Sequence, residues 1–468
     1  MTAKDMSYQG VMGRSDEIVL NAVGIDYDKY ELEGVAFDYK KLMADVNYSI
    51  EDVCKILNDM EVGNTPLIEL KNITKLAAKI GGPGKGARIY VKDEASQPSG
   101  SYKARRAALA VYEAKRLGYK GVIAATSGNF GAAVACMAAK LGLKCIIVQE
   151  CYDSRMVGQP EILEKQRACE ALGAEVVQLT VGPELFYEHL RLLEKTGFYN
   201  ASLYVPQAVT GVETLGWEIA HQCRERFGKD PEYVLITNAG GGNLTGTARG
   251  LKKAGAKDTK IYAASVDLSG LHMASDKDFN RKSFTTGHTG FGIPYATQPD
   301  RTDVPRSAAR PMRYIDEYLI VTQGEVFYAT EMLASLEGLE RGPAGNTSLA
   351  AAIALASTLP EDNVIVVQET EYTGAGKHPM PQLTFARQNG IKIFFGDPED
   401  EVPGKNIILP SDPTKIKLRY SDMKRLRLST LKRIATEDRE YSDVELQYMA
   451  DELNRNVDQV KELLAELK

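Results

Sequence analysis

Four short stretches carry residue types and spacings suited to chemistry. In "PSGSYKARRA", Pro98 to Ala107, a lysine stands between a Ser-Gly-Ser turn and an alanine-rich run that reads as a helix start. Helix N-termini favour anions and disfavour cations. Lys103 is therefore either solvated and incidental or has its amine in covalent use. "TNAGGGNLTG" reads as a strand, a glycine turn and a helix start, and glycines let backbone N–H groups approach an anion. It has neither the GK[ST] of a Walker loop nor G-x-G-x-x-G spacing, which leaves a phosphate held some other way, or a tight turn that binds nothing. "TSGNFG" repeats the strand-to-helix pattern with Asn129 at the helix start. Its backbone donors suit a carboxylate, or Ser127 or Asn129 is an ordinary N-cap. In "EYTGAGKHP", Glu371 to Pro379, Thr373 falls just past a strand and on its own reads as a turn residue.

The elements that must position these stretches alternate. "GVIAA", "KCIIVQE", "AEVVQLT", "YVLITNA", "KIYAASVD" and "NVIVVQETE" read as short apolar strands separated by helical segments. That alternation predicts a parallel α/β sheet covered on both faces, with ligands beyond the C-terminal strand ends. Both "TSGN" and "AGGGN" fall at such ends. Residues 1–62 read as polar helices, one opening at Ser49 with an acid three residues on. Residues 267–313 are irregular and polar. Eight Lys or Arg occur in 415–433, followed by an amphipathic segment with a capping box at Ser442 and Glu445.

The chain has 468 residues, 44% of them hydrophobic, enough for two or three lobes around sizeable cores. A net charge of −6 argues against nucleic acid as main partner. No run of about 20 apolar residues and no secretion signal is expected, so neither is a membrane. The six cysteines form no CxxC; buried thiols, no metal and a reducing cytoplasmic setting are expected.

Taken together and in this order, the four stretches resemble the fold-type II pyridoxal-phosphate (PLP) enzymes, the group of threonine synthase, the tryptophan synthase β chain, serine dehydratase and O-acetylserine sulfhydrylase. "NTPLIEL" and "IYVKDEASQPSGSYKARRA" belong to the match as well. The resemblance implies an α/β fold of two open three-layer lobes with mostly parallel sheets. Residues 64–103 and 208–410 would form the larger lobe, 104–207 the smaller inserted one, with helical extensions at 1–63 and 411–468. It implies that Lys103 holds C4′ of the cofactor and later moves protons. Gly240, Gly241, Gly242, Asn243 and Leu244 would cup the phosphate. Asn129 would bond the ring hydroxyl. Thr126, Ser127, Gly128, Asn129 and Phe130 would bind the substrate carboxylate. Thr373 would face the ring nitrogen, where a neutral hydroxyl makes a weaker electron sink than an aspartate.

"GQPEI", "GLHMAS", "SFTTGHTGFG", "DVPRSAARPMRY" and "ASLEGLERGPAGNTSLAAA" further resemble the PLP-binding β subunits of 2-amino-4-ketopentanoate thiolases. That family implies cleavage of 2-amino-4-oxopentanoate with CoA to acetyl-CoA and (D-)alanine in ornithine degradation. It implies a small α subunit as partner and a homodimer of this chain within the heteromer. CoA is anionic, and Arg301, Arg306, Arg310 and Arg313 are candidates to hold it, against the reading that they form lobe-closing ion pairs. Cys151 is a candidate acetyl acceptor or a structural thiol, and His272 and His288 are candidate acid–base groups. The competing readings are a threonine-synthase-like lyase or amino-acid ammonia-lyase, and a non-catalytic PLP-binding subunit.

Overall fold

Each apolar run named above becomes a strand, and the strands sort into three sheets. The computed structural model describes residues 4–126, 128–268, 282–285, 303–372 and 379–467. The largest sheet holds β1 (Leu67–Glu69), β2 (Arg88–Asp93), β7 (Tyr233–Thr237), β8 (Lys260–Val266), β9 (Glu317–Val321) and β10 (Val364–Glu369), in the order β1-β2-β10-β7-β8-β9. Only the short edge strand β1 runs antiparallel. The second sheet holds β3 (Gly121–Thr126), β4 (Lys144–Tyr152), β5 (Glu175–Thr180) and β6 (Tyr199–Asn200), all parallel, in the order β5-β4-β3-β6. Central strands of such sheets are covered on both faces, which is why β10 is buried at every position.

Two strands stand apart. β11 (Lys392–Gly396) and β12 (Asn406–Pro410) pair in parallel with each other. They pack their own small core, in which Ile391 and Ile407 meet Phe284, Phe327 and Leu383. Residues 208–410, expected as part of one lobe, thus carry a separate two-stranded unit near their end.

The terminal extensions fold onto each other. Val11, Ile18, Tyr39 and Leu42 share one apolar cluster with Leu446, Met449, Leu453 and Leu463, and the cluster continues into Ile123 and Val148 of the second sheet. Local chemistry starts these helices as expected. Ser49 and Asp52 form a capping box for Ile50–Asn58, and Ser442 and Glu445 form one for Asp443–Leu453. Glu445 also accepts from the Val35 amide at 3.1 Å, which joins the C-terminal helix to the N-terminal extension.

Candidate active site

The helix Lys103–Arg116 begins at Lys103 and has no side-chain cap. The loop before it is stitched to the segment leaving β10. Tyr102 N donates to the Thr370 carbonyl at 3.0 Å, and Tyr372 N donates to Gly100 at 2.7 Å. Gly100 takes φ +70°, a left-handed turn that glycine makes without strain. Two residues past Lys103, Arg105 is fully buried and binds Glu94 and Glu218 at 2.7 Å each. Lys92 joins the same network through Glu218 at 2.7 Å. Burial pushes the Glu218 carboxyl up, but Arg105 and Lys92 outweigh it and hold the group at about 2. This network clamps the first turn of the Lys103 helix to the end of β2 and to the helix Pro206–Phe227. Lys103 Nζ lies 4.6 Å from the Tyr102 ring centroid. Burial raises the Tyr102 phenol, yet the Lys103 and Arg106 cations beside it bring it below the usual tyrosine value.

The "TSGN" segment leaves β3 and enters the helix Asn129–Leu141, again without a side-chain cap. The Thr126 hydroxyl accepts from Gly128 N at 3.0 Å and Gly131 N at 3.2 Å, which fixes the turn. Asn129 Nδ2 donates to the Glu371 carboxylate, while Asn129 Oδ1 is buried and unpartnered. The glycine segment leaves β7 and enters the helix Gly242–Lys253, with Gly241 at φ +79°. Thr245 N is bonded to the Gly241 carbonyl at 2.9 Å, so the amides of Gly242, Asn243 and Leu244 precede the intrahelical ladder. Added Cβ atoms would collide here: at Gly240 with Tyr204, 3.2 Å from Cζ, and at Gly242 with Arg106, 2.6 Å from Cζ. The Asn243 and Asn238 side chains each leave one buried polar atom without a partner.

These parts converge. Lys103, Thr126, Gly128, Asn129, Phe130 and Gly240 to Asn243 line one cavity. It lies beyond the C-terminal ends of β3, β7, β8 and β10, whose neighbours Thr126, Asn238, Ser265 and Thr370 also line it. Leu244 offers only its backbone, because its side chain is buried in the core beside the larger sheet. Ser127, Thr373, Arg301, His272 and His288 lie outside the described residues. The arrangement fits pyridoxal phosphate. Amides at a helix N-terminus and glycines with no room for a Cβ suit the phosphate, the unpartnered Asn129 oxygen suits a ring substituent, and Lys103 shares their cavity.

The cavity is also lined by charged residues that were not anticipated, among them Arg106, Glu161, Lys165 and Glu371, with Glu150 and Asp303. Arg106 follows Lys103 by three positions, so the two share a helix face. Glu161 and Lys165 are an i,i+4 pair on the buried side of the helix Pro160–Ala171, and that spacing was the available signal. Burial, reinforced by the nearby Glu371, pushes the Glu161 carboxyl up to about 8, against the opposing pull of Lys165 and Lys103. Burial likewise raises Glu371, with Lys103 and Lys165 pulling it down.

The arginine segment lies elsewhere. Arg306 forms a two-pronged pair with Glu31, both bonds 2.8 Å. Arg310 is buried 3.6 Å from Glu452, and Arg313 binds Glu452 at 2.7 Å and Asp451 at 3.0 Å. These ion pairs tie the segment to the two terminal extensions and not, as the ion-pair alternative had it, one lobe to the other. Cys151 is fully buried, and burial, with Glu170 and Glu150 nearby, pushes its thiol up to about 12. A thiol so placed is a poor nucleophile at neutral pH, which favours the structural reading of Cys151 over the acetyl-acceptor one.

Residues 59–370 match the family model described as "Pyridoxal-phosphate dependent enzyme". The chain is 63% identical over 468 residues to the 2-amino-4-ketopentanoate thiolase β subunit of Acetoanaerobium sticklandii, with 100% of both chains covered. A second β subunit of that name, from an unknown prokaryotic organism, is 59% identical over 467 residues, 99% of each chain. Among solved structures, a pyridoxal 5'-phosphate-dependent aspartate racemase superimposes with a TM-score of 0.54 at 20% identity, covering 69% of this chain and 95% of that one. That likeness speaks for the fold alone. The chain is therefore a pyridoxal-phosphate dependent enzyme, and within that group it belongs to the family of 2-amino-4-ketopentanoate thiolase β subunits.

Proposed function

We propose that this chain, together with a smaller α subunit, cleaves 2-amino-4-oxopentanoate with CoA to acetyl-CoA and alanine, of D configuration. One observation carries the reading: the lysine, the carboxylate turn and the glycine cup line a single cavity in a chain 63% identical, end to end, to a thiolase β subunit. Lys103 would hold the cofactor's C4′. The amides of Gly240 to Leu244 would hold its phosphate, Asn129 its ring hydroxyl, and Thr373 its ring nitrogen. When bound, pyridoxal phosphate supplies an electron sink that stabilises negative charge at the substrate α-carbon and makes Cβ a tolerable carbon leaving group.

The chain's own residues supply the rest. Backbone donors at Ser127 to Phe130 orient the α-carboxylate, with Thr126 bracing the turn. Lys103 moves the proton at Cα. Glu161, held protonated at neutral pH by burial, and Lys165 face the same cavity and serve the ketone end. In the balance, the Cβ–C4 bond breaks, C4 bonds to the CoA sulfur, and Cβ gains the proton that the thiol gives up. Of the four candidate CoA arginines, the described three differ in exposure. The Arg306 side chain is 25% exposed against 1% for Arg310 and 7% for Arg313, which supports Arg306, released from Glu31, and Arg301 as the CoA contact. All six cysteines are unpaired, which supports a reducing, cytoplasmic setting.

The test is a CoA-dependent assay with 2-amino-4-oxopentanoate, with and without the small subunit, the alanine being scored with a D-specific oxidase. Acetyl-CoA and D-alanine in equal amounts are expected, and Arg306→Gln should raise the KM for CoA. Release of ammonia and a keto acid from serine or threonine, with no acetyl-CoA formed, would overturn the reading.

A further inference from the structure

We propose that Arg106 is a phosphate ligand of the cofactor site, its guanidinium completing the glycine cup around a dianionic phosphate monoester. The starting point is a contrast between neighbours. Arg105 and Arg106 are both buried, at 0% and 2% exposure. Arg105 has its guanidinium fully engaged by Glu94, Glu218, Thr65 and Thr214. Arg106 has only neutral partners, the Leu203 carbonyl at Nη2 and the Tyr102 phenol, and its Nε is buried with no partner. Among the described residues no carboxylate pairs with it. The rings of Phe130 and Tyr204 flank it, with centroids 5.9 and 6.0 Å from Cζ.

A buried guanidinium without a counter-anion is an arrangement that folds rarely retain, because the charge has left water and gained no compensating charge. Arg106 cannot escape by losing its proton. An anion is therefore missing from its surroundings, and the same surroundings identify the anion's chemistry. The guanidinium abuts Gly242, where an added Cβ would stand 2.6 Å from Cζ. The amides of Gly242, Asn243 and Leu244 lie at that helix start ahead of the intrahelical ladder. The Asn243 side-chain amide, in a residue 4% exposed, also lacks an acceptor. A fork of N–H donors beside a row of backbone N–H donors matches the several oxygens of a phosphate and overfills a carboxylate. The i,i+3 spacing from Lys103 then has a purpose: one helix turn presents both the covalent lysine and the phosphate cation to the same ligand.

CoA also carries phosphates, so the experiment separates the two sources. The full-length protein, stripped of cofactor, is titrated with pyridoxal phosphate and with pyridoxal. The ratio of the two dissociation constants isolates what the phosphate contributes. Arg106→Gln should reduce that ratio roughly ten- to a hundredfold, the worth of charge-assisted hydrogen bonds, and leave pyridoxal binding within about twofold. Arg106→Lys, which keeps the charge and the volume, should fall between wild type and glutamine and tests the idea even if the glutamine variant folds poorly. An unchanged ratio in both variants would overturn the proposal. So would equal losses for both ligands, which would mark Arg106 as structural, or an unchanged ratio with a raised KM for CoA, which would give the phosphate to CoA. The binding-ratio arms need no thiolase turnover, so failure of the substrate reading above would leave their result intact.

Discussion

Gly241 and Thr373 separate two ways of holding a cofactor. Gly241 sits at φ +79° in the turn that aims amides into the cavity. A side chain there is strained, and a carboxylate would also repel a phosphate. Thr373, in its proposed role, would supply one neutral hydrogen bond, worth about 0.5–1.5 kcal/mol. Gly241→Asp should therefore weaken pyridoxal-phosphate binding far more than Thr373→Ala, as read by spectroscopic titration; equal affinities would mean the cup lies elsewhere. Reduction of the loaded protein with borohydride and peptide mapping should place the pyridoxyl group on Lys103. Glu161 predicts a pH dependence. Its folded value is about 8, above the ordinary carboxyl value of 4.5. The native state then binds more protons than the unfolded one between those values. The stability from Glu161 is full below the ordinary value and is lost as pH rises through about 8. Cofactor-free wild type should lose more thermal stability between pH 6 and 9 than Glu161→Gln does. Parallel Tm profiles would assign the dependence to other groups.

At the scale of elements, the Lys103 helix is held from behind by charge and not by a cap. Arg105 links that helix to Glu94, just past β2, and to Glu218 on the helix Pro206–Phe227, and all three groups are largely withdrawn from water. Removing one member of such a network leaves its partners buried and uncompensated, at a cost of about 3–5 kcal/mol. Arg105→Ala should lower the unfolding free energy from denaturant titration by that amount. It should also weaken cofactor retention, because the lysine turn rests on this clamp. An unfolding free energy within about 0.5 kcal/mol of wild type would show that the network is not what holds the turn.

At the scale of the whole molecule, the two chain ends form one structure. Leu446, Met449, Leu453, Val460 and Leu463 are buried against Val11, Ile18, Tyr39 and Leu42, and each such burial stabilises by about 1.5–3 kcal/mol. The helix Met423–Ile434 covers the body with Met423, Leu426 and Leu431 and leaves Lys424, Arg425, Lys432 and Arg433 exposed. Deleting the chain after Pro413 therefore tests folding more than assembly, and should yield protein that binds a hydrophobic dye and unfolds without cooperativity. We propose that this basic face contacts the α subunit, and reversing the four exposed charges tests it while leaving that core untouched, at the loss of the exposed Lys424–Glu466 pair. Sedimentation should then show an intact but lighter particle; an unchanged heteromer would place the contact on another face.

Features set by neighbours in the chain were legible in the sequence. The capping boxes at Ser49 and Ser442 need only a hydroxyl and an acid three residues apart, and both form. The strand-to-helix turns at Gly128 and Gly241 follow from apolar runs ending in small residues, and Lys103 opens its helix as its flanking residues require. Three-residue β1 and the isolated β11–β12 pair were not legible, because a short strand is defined by the partner it finds. Only the tertiary structure seats β10 between β2 and β7, across hundreds of intervening residues, and so brings Glu371 to Asn129. It also sends Arg313 to Asp451 and Glu452 and gives Arg105 two carboxylates while Arg106 receives none among the described residues. The local sequence around two adjacent arginines is nearly the same. What each one binds depends on which distant chain packs against its face of the helix, and spacing along a sequence carries no record of that.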